Sequence, residues 1–270
     1  MKYSVLMTVY KKDNPEYFNL ALKSMINQTY KPDEIILVND GPISQELQEV
    51  IDENVKTTDI FIKQVSLPQN VGLGLALNEG IKVVRNELIA RMDSDDISLP
   101  ERCEKQLKLY EYDSKLDIVG CPVIEFSGKP SNVVGKRDVP LTNDAIHKYA
   151  KRRDPFNHPT VMYKKSKVEA VGGYGDYRKN QDTDLWIKML ASGCKAQNCP
   201  EYLVNFRFEK STYQKRKSWI NTKILIDLRW RAFRSGFNSL GDFLIVFFAQ
   251  MTIYLIPTSV QRFIYRKILR

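Results

Sequence analysis

The chain has 270 residues, 43% of them hydrophobic and 11% aromatic, which is enough for one sizeable core and excludes a disordered composition. Its formal net charge of +9 is unevenly placed: residues 1–199 balance 28 Lys+Arg against 28 Asp+Glu, whereas residues 200–270 carry 13 against 4. A neutral body with a basic last quarter suits an anionic partner for that quarter, whether nucleic acid, an acidic membrane surface or a diphosphate.

The first residues enter a strand pattern directly, with no apolar leader or cleavage site, so a cytoplasmic chain with reduced thiols is expected. Residues 3–9 form a β-rich run ending at Thr8-Val9-Tyr10. Asn14-Pro15 then precedes a helical pattern through Phe18, Leu22, Met25 and Ile26. A second buried strand over 34–38 ends in the turn Asn39-Asp40-Gly41-Pro42, and Leu47, Val50 and Ile51 suit a second helix. Residues 59–65 predict a third strand, Asn70-Val71-Gly72 opens a third helix, and 87–92 predict a fourth strand ending at Asp93-Ser94-Asp95-Asp96. Ser98-Leu99-Pro100-Glu101 reads as a capping box for a fourth helix. Strand and helix alternate regularly, which predicts an α/β layer fold with a mostly parallel sheet.

Beyond residue 117 the pattern loosens. One or two strands are expected over 118–126, another over 160–163, a turn at Gly172-Gly173-Tyr174, a helix over 184–190 and a last strand over 202–208. From about residue 212 the chain reads as helical, first basic and then apolar. The longest apolar run, 243–257, is interrupted by Gln250 and Thr252 and is too short for an ordinary spanning helix. It suits a buried core helix or one lying in a membrane interface. Cys103, Cys121, Cys194 and Cys199 show no C-x-x-C pair, so no zinc site is expected.

In parallel sheets, ligands bind beyond the carboxyl ends of the strands. Tyr10, Asp40 and the Asp93–Asp96 cluster all fall at such ends. Two carboxylates one residue apart, Asp93 and Asp95, can converge on a hard cation, Mn²⁺ or Mg²⁺, shared with substrate phosphates. Taken alone, the cluster is equally an Asp-rich turn capping the next helix. Asp40 suits a contact to a base or ribose, and alternatively plain turn chemistry. Asp182, near a helix start, suits a general base taking a hydroxyl proton, and alternatively an N-cap. His158 is one of two histidines. Arg207, Lys210, Lys215, Arg216 and Lys217 could close over a diphosphate, or face solvent or lipid.

Six stretches together resemble a family 2 glycosyltransferase with the GT-A fold. They are Ser4–Tyr10, Val38-Asn39-Asp40-Gly41, Asn70-Val71-Gly72 through Gly80, Arg91-Met92-Asp93-Ser94-Asp95-Asp96, Asn157-His158-Pro159-Thr160-Val161-Met162, and Gln181-Asp182-Thr183-Asp184-Leu185-Trp186. They span residues 1–210 in the family's order, and are most similar to bacterial capsule and exopolysaccharide enzymes. The resemblance implies a nucleotide-binding half at about 1–115, an acceptor half at 116–210 and a helical extension at 211–270.

It also implies roles for particular residues. Asp40, with Thr8 and Tyr10, would line the nucleotide pocket beside Asn70, Gly72 and Arg91. Asp93 would contact the nucleotide sugar and Asp95 would ligate the metal. Asp182 would be the base of an inverting displacement, and His158 would sit near phosphates or acceptor. UDP is the expected nucleotide. The acceptor would be an oligosaccharide, commonly lipid-linked, with a peripheral place on the inner membrane face and a dimer as the competing use of the apolar segment. Gln181 stands where the family usually has Glu. Processive synthases carry Gln-x-x-Arg-Trp, whereas Ile226 precedes Arg229-Trp230 here, so transfer of a single sugar is implied.

A nucleotidyltransferase would show a Gly-rich loop after the first strand, and Thr8-Val9-Tyr10-Lys11-Lys12 has no glycine. A dehydrogenase would show Gly-x-Gly-x-x-Gly at that place. The different-class alternative is a binding module that kept the fold and lost turnover. No motif supports nucleic-acid binding.

Overall fold

The computed structural model describes residues 1–208 and 218–256. Its main sheet has seven strands: β1 (Tyr3–Val9), β2 (Glu34–Asn39), β3 (Phe61–Ser66), β4 (Leu88–Met92), β6 (Leu116–Gly120), β9 (Met162–Lys164) and β10 (Lys195–Asn198). Their spatial order is β10-β6-β9-β4-β1-β2-β3, and β1, β2, β3 and β4 run parallel. β9 is antiparallel to both its neighbours. Every residue of β2 and β4 is buried, because helices cover both faces of the sheet, whereas edge strand β3 alternates with exposed positions.

The helices that follow the strands are α1 (Pro15–Ile26), α2 (Gln45–Thr57), α3 (Leu73–Val83) and α4 (Arg102–Tyr112). Asn14 caps α1 by accepting from the Glu16 and Tyr17 N–H groups, with Pro15 in the first turn. α3 lies so close to the sheet that a Cβ on Gly80 would sit 2.4 Å from Leu6 Cδ1 and 2.8 Å from Val38 Cγ2. One core layer is built on Val5, Met7, Phe18, Leu22, Leu37 and Leu107, and the other on Leu6, Ile36, Leu77, Ile89, Leu185 and Trp186.

A second sheet of four strands has the order β5 (Ile97–Ser98), β11 (Val204–Arg207), β7 (Val123–Phe126), β8 (Val133–Arg137). The region expected to hold one or two strands over 118–126 thus divides, with β6 in the main sheet and β7 in the second. α5 (Asn143–Ala150), a 3₁₀ turn (His158–Thr160), α6 (Lys165–Ala170) and α7 (Gln181–Ala191) complete the body. The extension comprises α8 (Trp219–Arg234) and α9 (Leu240–Leu255), which α9 opens with a capping box between Ser239 and Asp242. No helix among the described residues is long and apolar enough to cross a membrane.

Three boundary expectations are corrected. The capping box at Ser98 does not form: Ser98 belongs to β5, and α4 starts at Arg102 after Glu101 with no side-chain cap. The strand expected from residue 160 begins instead with the 3₁₀ turn, since Thr160 Oγ1 donates back to the Asn157 carbonyl at 2.8 Å. The helix expected from Asp184 starts one turn-fraction earlier, at Gln181, behind Asn180 in the left-handed region (φ 59°).

Candidate active site

The parallel registers bring the expected strand tips together. Val9 pairs with Asn39, and Met7 with Met92, so Tyr10, Asp40 and Asp93 leave the same edge of the sheet. β1 is followed by β2 on one side, while β4 returns on the other. The order therefore reverses between β1 and β4, where open α/β sheets bind ligands.

At that point Asp93, Asp95 and Asp96 each offer a carboxylate oxygen within 4.8 Å of the others. Asp95 is exposed, Asp93 is partly buried and Asp96 is 0% exposed. Asp96 Oδ1 accepts from the Arg207 N–H at 2.7 Å, and Oδ2 has no protein partner. Desolvation, then the neighbouring charges of Asp93 and Asp13, push the Asp95 carboxyl up to about 7. Three crowded hard oxygens, one of them buried and unpaired, fit a divalent cation of the Mn²⁺ or Mg²⁺ type. Their mutual repulsion is what such a charge would relieve.

Arg91 lies just before the cluster and is 1% exposed. Its guanidinium pairs with Asp93, while Nε and Nη1 have no protein partner. Arg91 also acts electrostatically on His158, Tyr163, Tyr174 and Asp182. It thus acts on both Asp93 and Asp182. Asp182 sits in the first turn of α7, and the N-cap is Asn180 rather than Asp182. Burial, then the nearby Asp154 charge, raise its carboxyl to about 7, against the lowering effect of Arg91. That places a proton acceptor near neutrality.

Asp40 is held by the turn that opens α3. Its carboxylate accepts from Val71 N–H at 2.7 Å, from Gly72 N–H at 3.0 Å and from Asn70 Nδ2 at 2.7 Å. Asp40 thus ties the β2 tip to the turn that opens α3, and Asn70 serves that tie rather than capping the helix, whose N-cap is Gly72. A Cβ on Gly41, where φ is +85°, would meet the Asn70 backbone nitrogen at 2.7 Å, so this crossing requires glycine. Thr8 is partly buried on β1, and Tyr10 stands exposed at its tip with Asp13 and Asp95 acting on its phenol.

Two candidates lie deeper than expected. His158 is buried, its Nε2 2.9 Å from the Tyr174 hydroxyl, and burial holds it neutral with a pKa well below the usual range. Arg207 is 5% exposed: Nε donates to the Asp95 carbonyl at 2.9 Å, Nη1 to Gly128 at 2.8 Å, and the guanidinium lies 3.6 Å over the Tyr17 ring. In this conformation it braces the Asp95–Asp96 loop. Lys215 and Arg216 lie outside the described residues.

Sequence reasoning missed three residues. Asp13 faces Asp93 and Ser94, and burial raises its carboxyl to about 6. Its one signal was its place three residues past the β1 tip. Arg178, an exposed cation, donates to Asn70 Oδ1 at 3.0 Å. Tyr174 was read as part of a turn, yet its hydroxyl meets both His158 and Tyr163. Gln181 is buried, and its Cβ would meet a Cβ on Gly74 at 3.0 Å, so it packs α7 onto α3.

Comparison with known proteins settles the family. The family model of glycosyl transferase family 2 matches residues 4–171. The chain belongs to glycosyl transferase family 2. It is 38% identical over 270 residues to a UDP-Gal:alpha-D-GlcNAc-diphosphoundecaprenol beta-1,3-galactosyltransferase of Escherichia coli, covering 100% of this chain and 97% of that protein. It is 35% identical to an amylovoran biosynthesis glycosyltransferase of Erwinia amylovora, with 98% of each covered. Among solved structures, S. aureus TarS residues 1–349 in complex with UDP-GlcNAc superpose with a TM-score of 0.70 at 16% identity, over 99% of this chain and 76% of that one. The chain spans 44% of a longer TarS chain. A Pyrobaculum calidifontis mannosyltransferase in complex with GDP-Man and Mn²⁺ gives 0.68 at 16% identity, over 99% and 75%. The fold of this family 2 glycosyltransferase is therefore GT-A, as its motifs implied.

Proposed function

We propose that this glycosyltransferase moves a single sugar from a UDP-linked donor to a lipid-diphosphate-linked glycan, with inversion, during bacterial surface polysaccharide biosynthesis. One observation carries the reading: buried Arg91 pairs with Asp93 of the carboxylate cluster Asp93-Asp95-Asp96 and also acts electrostatically on the separate carboxylate Asp182. The first would hold the donor diphosphate and the second would serve the acceptor. The full-length likeness to an Escherichia coli enzyme named for UDP-Gal and a diphosphoundecaprenol acceptor supports the substrate classes.

Residues 1–115 would bind the donor, with Thr8, Tyr10 and the Asp40–Asn70–Gly72 turn forming the nucleotide side. Asp93 would meet the nucleotide sugar. Asp95, with Asp93 and Asp96 around it, would hold Mn²⁺ or Mg²⁺, which when bound supplies positive charge against the departing diphosphate. From the 116–210 half, Asp182 takes the proton of the acceptor hydroxyl. That oxygen bonds to the anomeric carbon as the bond to the nucleoside diphosphate breaks on the opposite face. Arg91 keeps Asp93 oriented and lowers the proton affinity of Asp182. Arg178 is the exposed cation nearest the nucleotide turn and would add a phosphate contact.

The extension would seat on the inner leaflet. Ile220, Trp230, Leu244, Ile245, Phe248 and Leu255 are exposed on α8 and α9, and the basic excess of the chain lies in the same quarter.

Calorimetry with UDP in Mn²⁺, in EDTA and with Asp95→Ala tests the donor site. Binding that needs both the metal and Asp95, together with turnover of UDP-galactose onto a GlcNAc-diphospholipid, is the expected result. Tight binding indifferent to both removes the metal role of Asp95. Silence with UDP, GDP and dTDP would mean a module that kept the fold and lost the chemistry.

A further inference from the structure

One buried cation has no part in the mechanism above. Arg229, on α8, is 3% exposed. Its Nη1 donates to the Ala150 carbonyl at the end of α5, and Nη2 lies 3.6 Å from Asp154 Oδ1. The other Asp154 oxygen accepts from the Thr183 hydroxyl at 2.9 Å. Thr183 is the residue after Asp182 on α7. Ile187 of α7 packs with Leu228 and Ala232 of α8, so the two helices hold the pair in register. The Asn238 amide donates to the Arg229 carbonyl and fixes the turn that follows α8.

An arginine taken out of water carries a large desolvation cost unless it is paired. The partner carboxylate of Asp154, 39% exposed, touches the residue next to the base. The geometry assigns Arg229 as a positioning residue for the transfer reaction: acting through Asp154 and Thr183, it fixes the charge and the first-turn geometry beside Asp182. The C-terminal extension would thereby be wired to the catalytic centre as well as to the lipid. This rests on the reading of Asp182 as the base.

The charges around Asp182 make the effect signed. Beyond burial, Asp154 raises its proton affinity, Arg91 lowers it from the β4 side, and Tyr174 faces it from the preceding turn. His158 is held neutral and adds no charge. Asp184 on α7 pairs with Lys188 at 2.8 Å. On the elements packed against α7, Glu79 pairs with Lys82 on α3, Lys165 with Glu169 on α6, and Asp227 with Arg231 on α8, while α5 also carries Asp144, His147 and Lys148 and α8 Lys223 and Arg234. Arg229 is the cation that offsets Asp154. Without it the negative field at Asp182 grows, the proton is held more tightly, and the base is ready only at higher pH.

The test is an NMR titration of the full chain labelled with ¹³C at the aspartate carboxyls, the Asp182 resonance being assigned by its loss in Asp182→Asn. Arg229→Met should move the Asp182 midpoint up by about half a unit to one unit, as expected for loss of a nearby compensating charge. Asp154→Asn should move it down, and the double variant should return close to the parent. The acid limb of UDP-galactose turnover should follow the same order. If Arg229→Met does not fold, Arg229→Gln, which removes the charge and keeps a donor for the Ala150 carbonyl, reads the same shift. Midpoints unmoved in the folded variants, with only a lower Tm, would overturn the proposal and leave Arg229 a packing residue. Full turnover by Asp182→Asn would instead sink the base assignment, and the titration would still report whether the relay exists.

Discussion

Asp40 shows how one side chain at a strand tip can hold the fold of the turn beside it. Its position at the tip of β2 marked it for a base or ribose contact. In the structure its two oxygens collect two backbone N–H groups and one side-chain amide from residues 70–72. Asp40→Ala leaves those donors facing a small hydrocarbon, and a buried donor without a partner costs about 1–3 kcal/mol. The expected outcome is a Tm lower by several degrees without any nucleotide, together with weaker UDP binding. Unchanged Tm in differential scanning calorimetry with lost UDP binding would return Asp40 to a pure ligand role. Arg207 has a comparable duty: it stacks on Tyr17 and bonds to the Asp95 carbonyl, which ties it to the carboxylate loop.

Element packing depends most on α3. This helix delivers Gly72 to the turn held by Asp40 and Gly74 to the contact with Gln181 of α7. Gly80 lets it descend onto Leu6 and Val38, both fully buried in the sheet. Gly80→Val would force these side chains from their rotamers, at a cost of about 2 kcal/mol, typical of an overpacked core. A urea melt should show the loss as a lower midpoint with an unchanged slope. An unchanged midpoint would mean that α3 can rise from the sheet without penalty. The second sheet has a comparable duty at the other end of the cluster. β5 follows the carboxylates at once and pairs with β11, which brings Arg207 under the loop.

Across the whole molecule, the body is closed by two core layers, whereas the extension leaves apolar side chains in the open. Phe248 is 62% exposed and Leu255 71% exposed, on a helix with few polar positions. An exposed apolar patch of this kind marks an interaction surface. Joined to a basic excess, it suits an anionic bilayer better than a second copy of an equally basic surface. The protein should float with vesicles containing phosphatidylglycerol at low salt, and Leu244→Glu with Phe248→Glu should abolish this while UDP binding is unchanged. Indifference to vesicles together with a dimer in analytical ultracentrifugation, dispersed by the same variants, would give the patch to a partner subunit.

The sequence by itself determined the α/β alternation, the first four strands, and the convergence of Tyr10, Asp40 and Asp93 on one edge. Those features are local: buried parallel strands are continuous apolar runs, and polar residues at their carboxyl ends stand out against them. The ordered motifs also determined the family. Only the tertiary structure decided that β6 and β7 part into different sheets, since a short apolar run fits either one equally. It alone showed that Asp13 faces Asp93 and Ser94, that Asp96 is buried with an unpaired oxygen, and that Arg229 reaches Asp154. Those groups lie far apart along the chain, and charge acts through space, so no spacing in the sequence encodes their encounter.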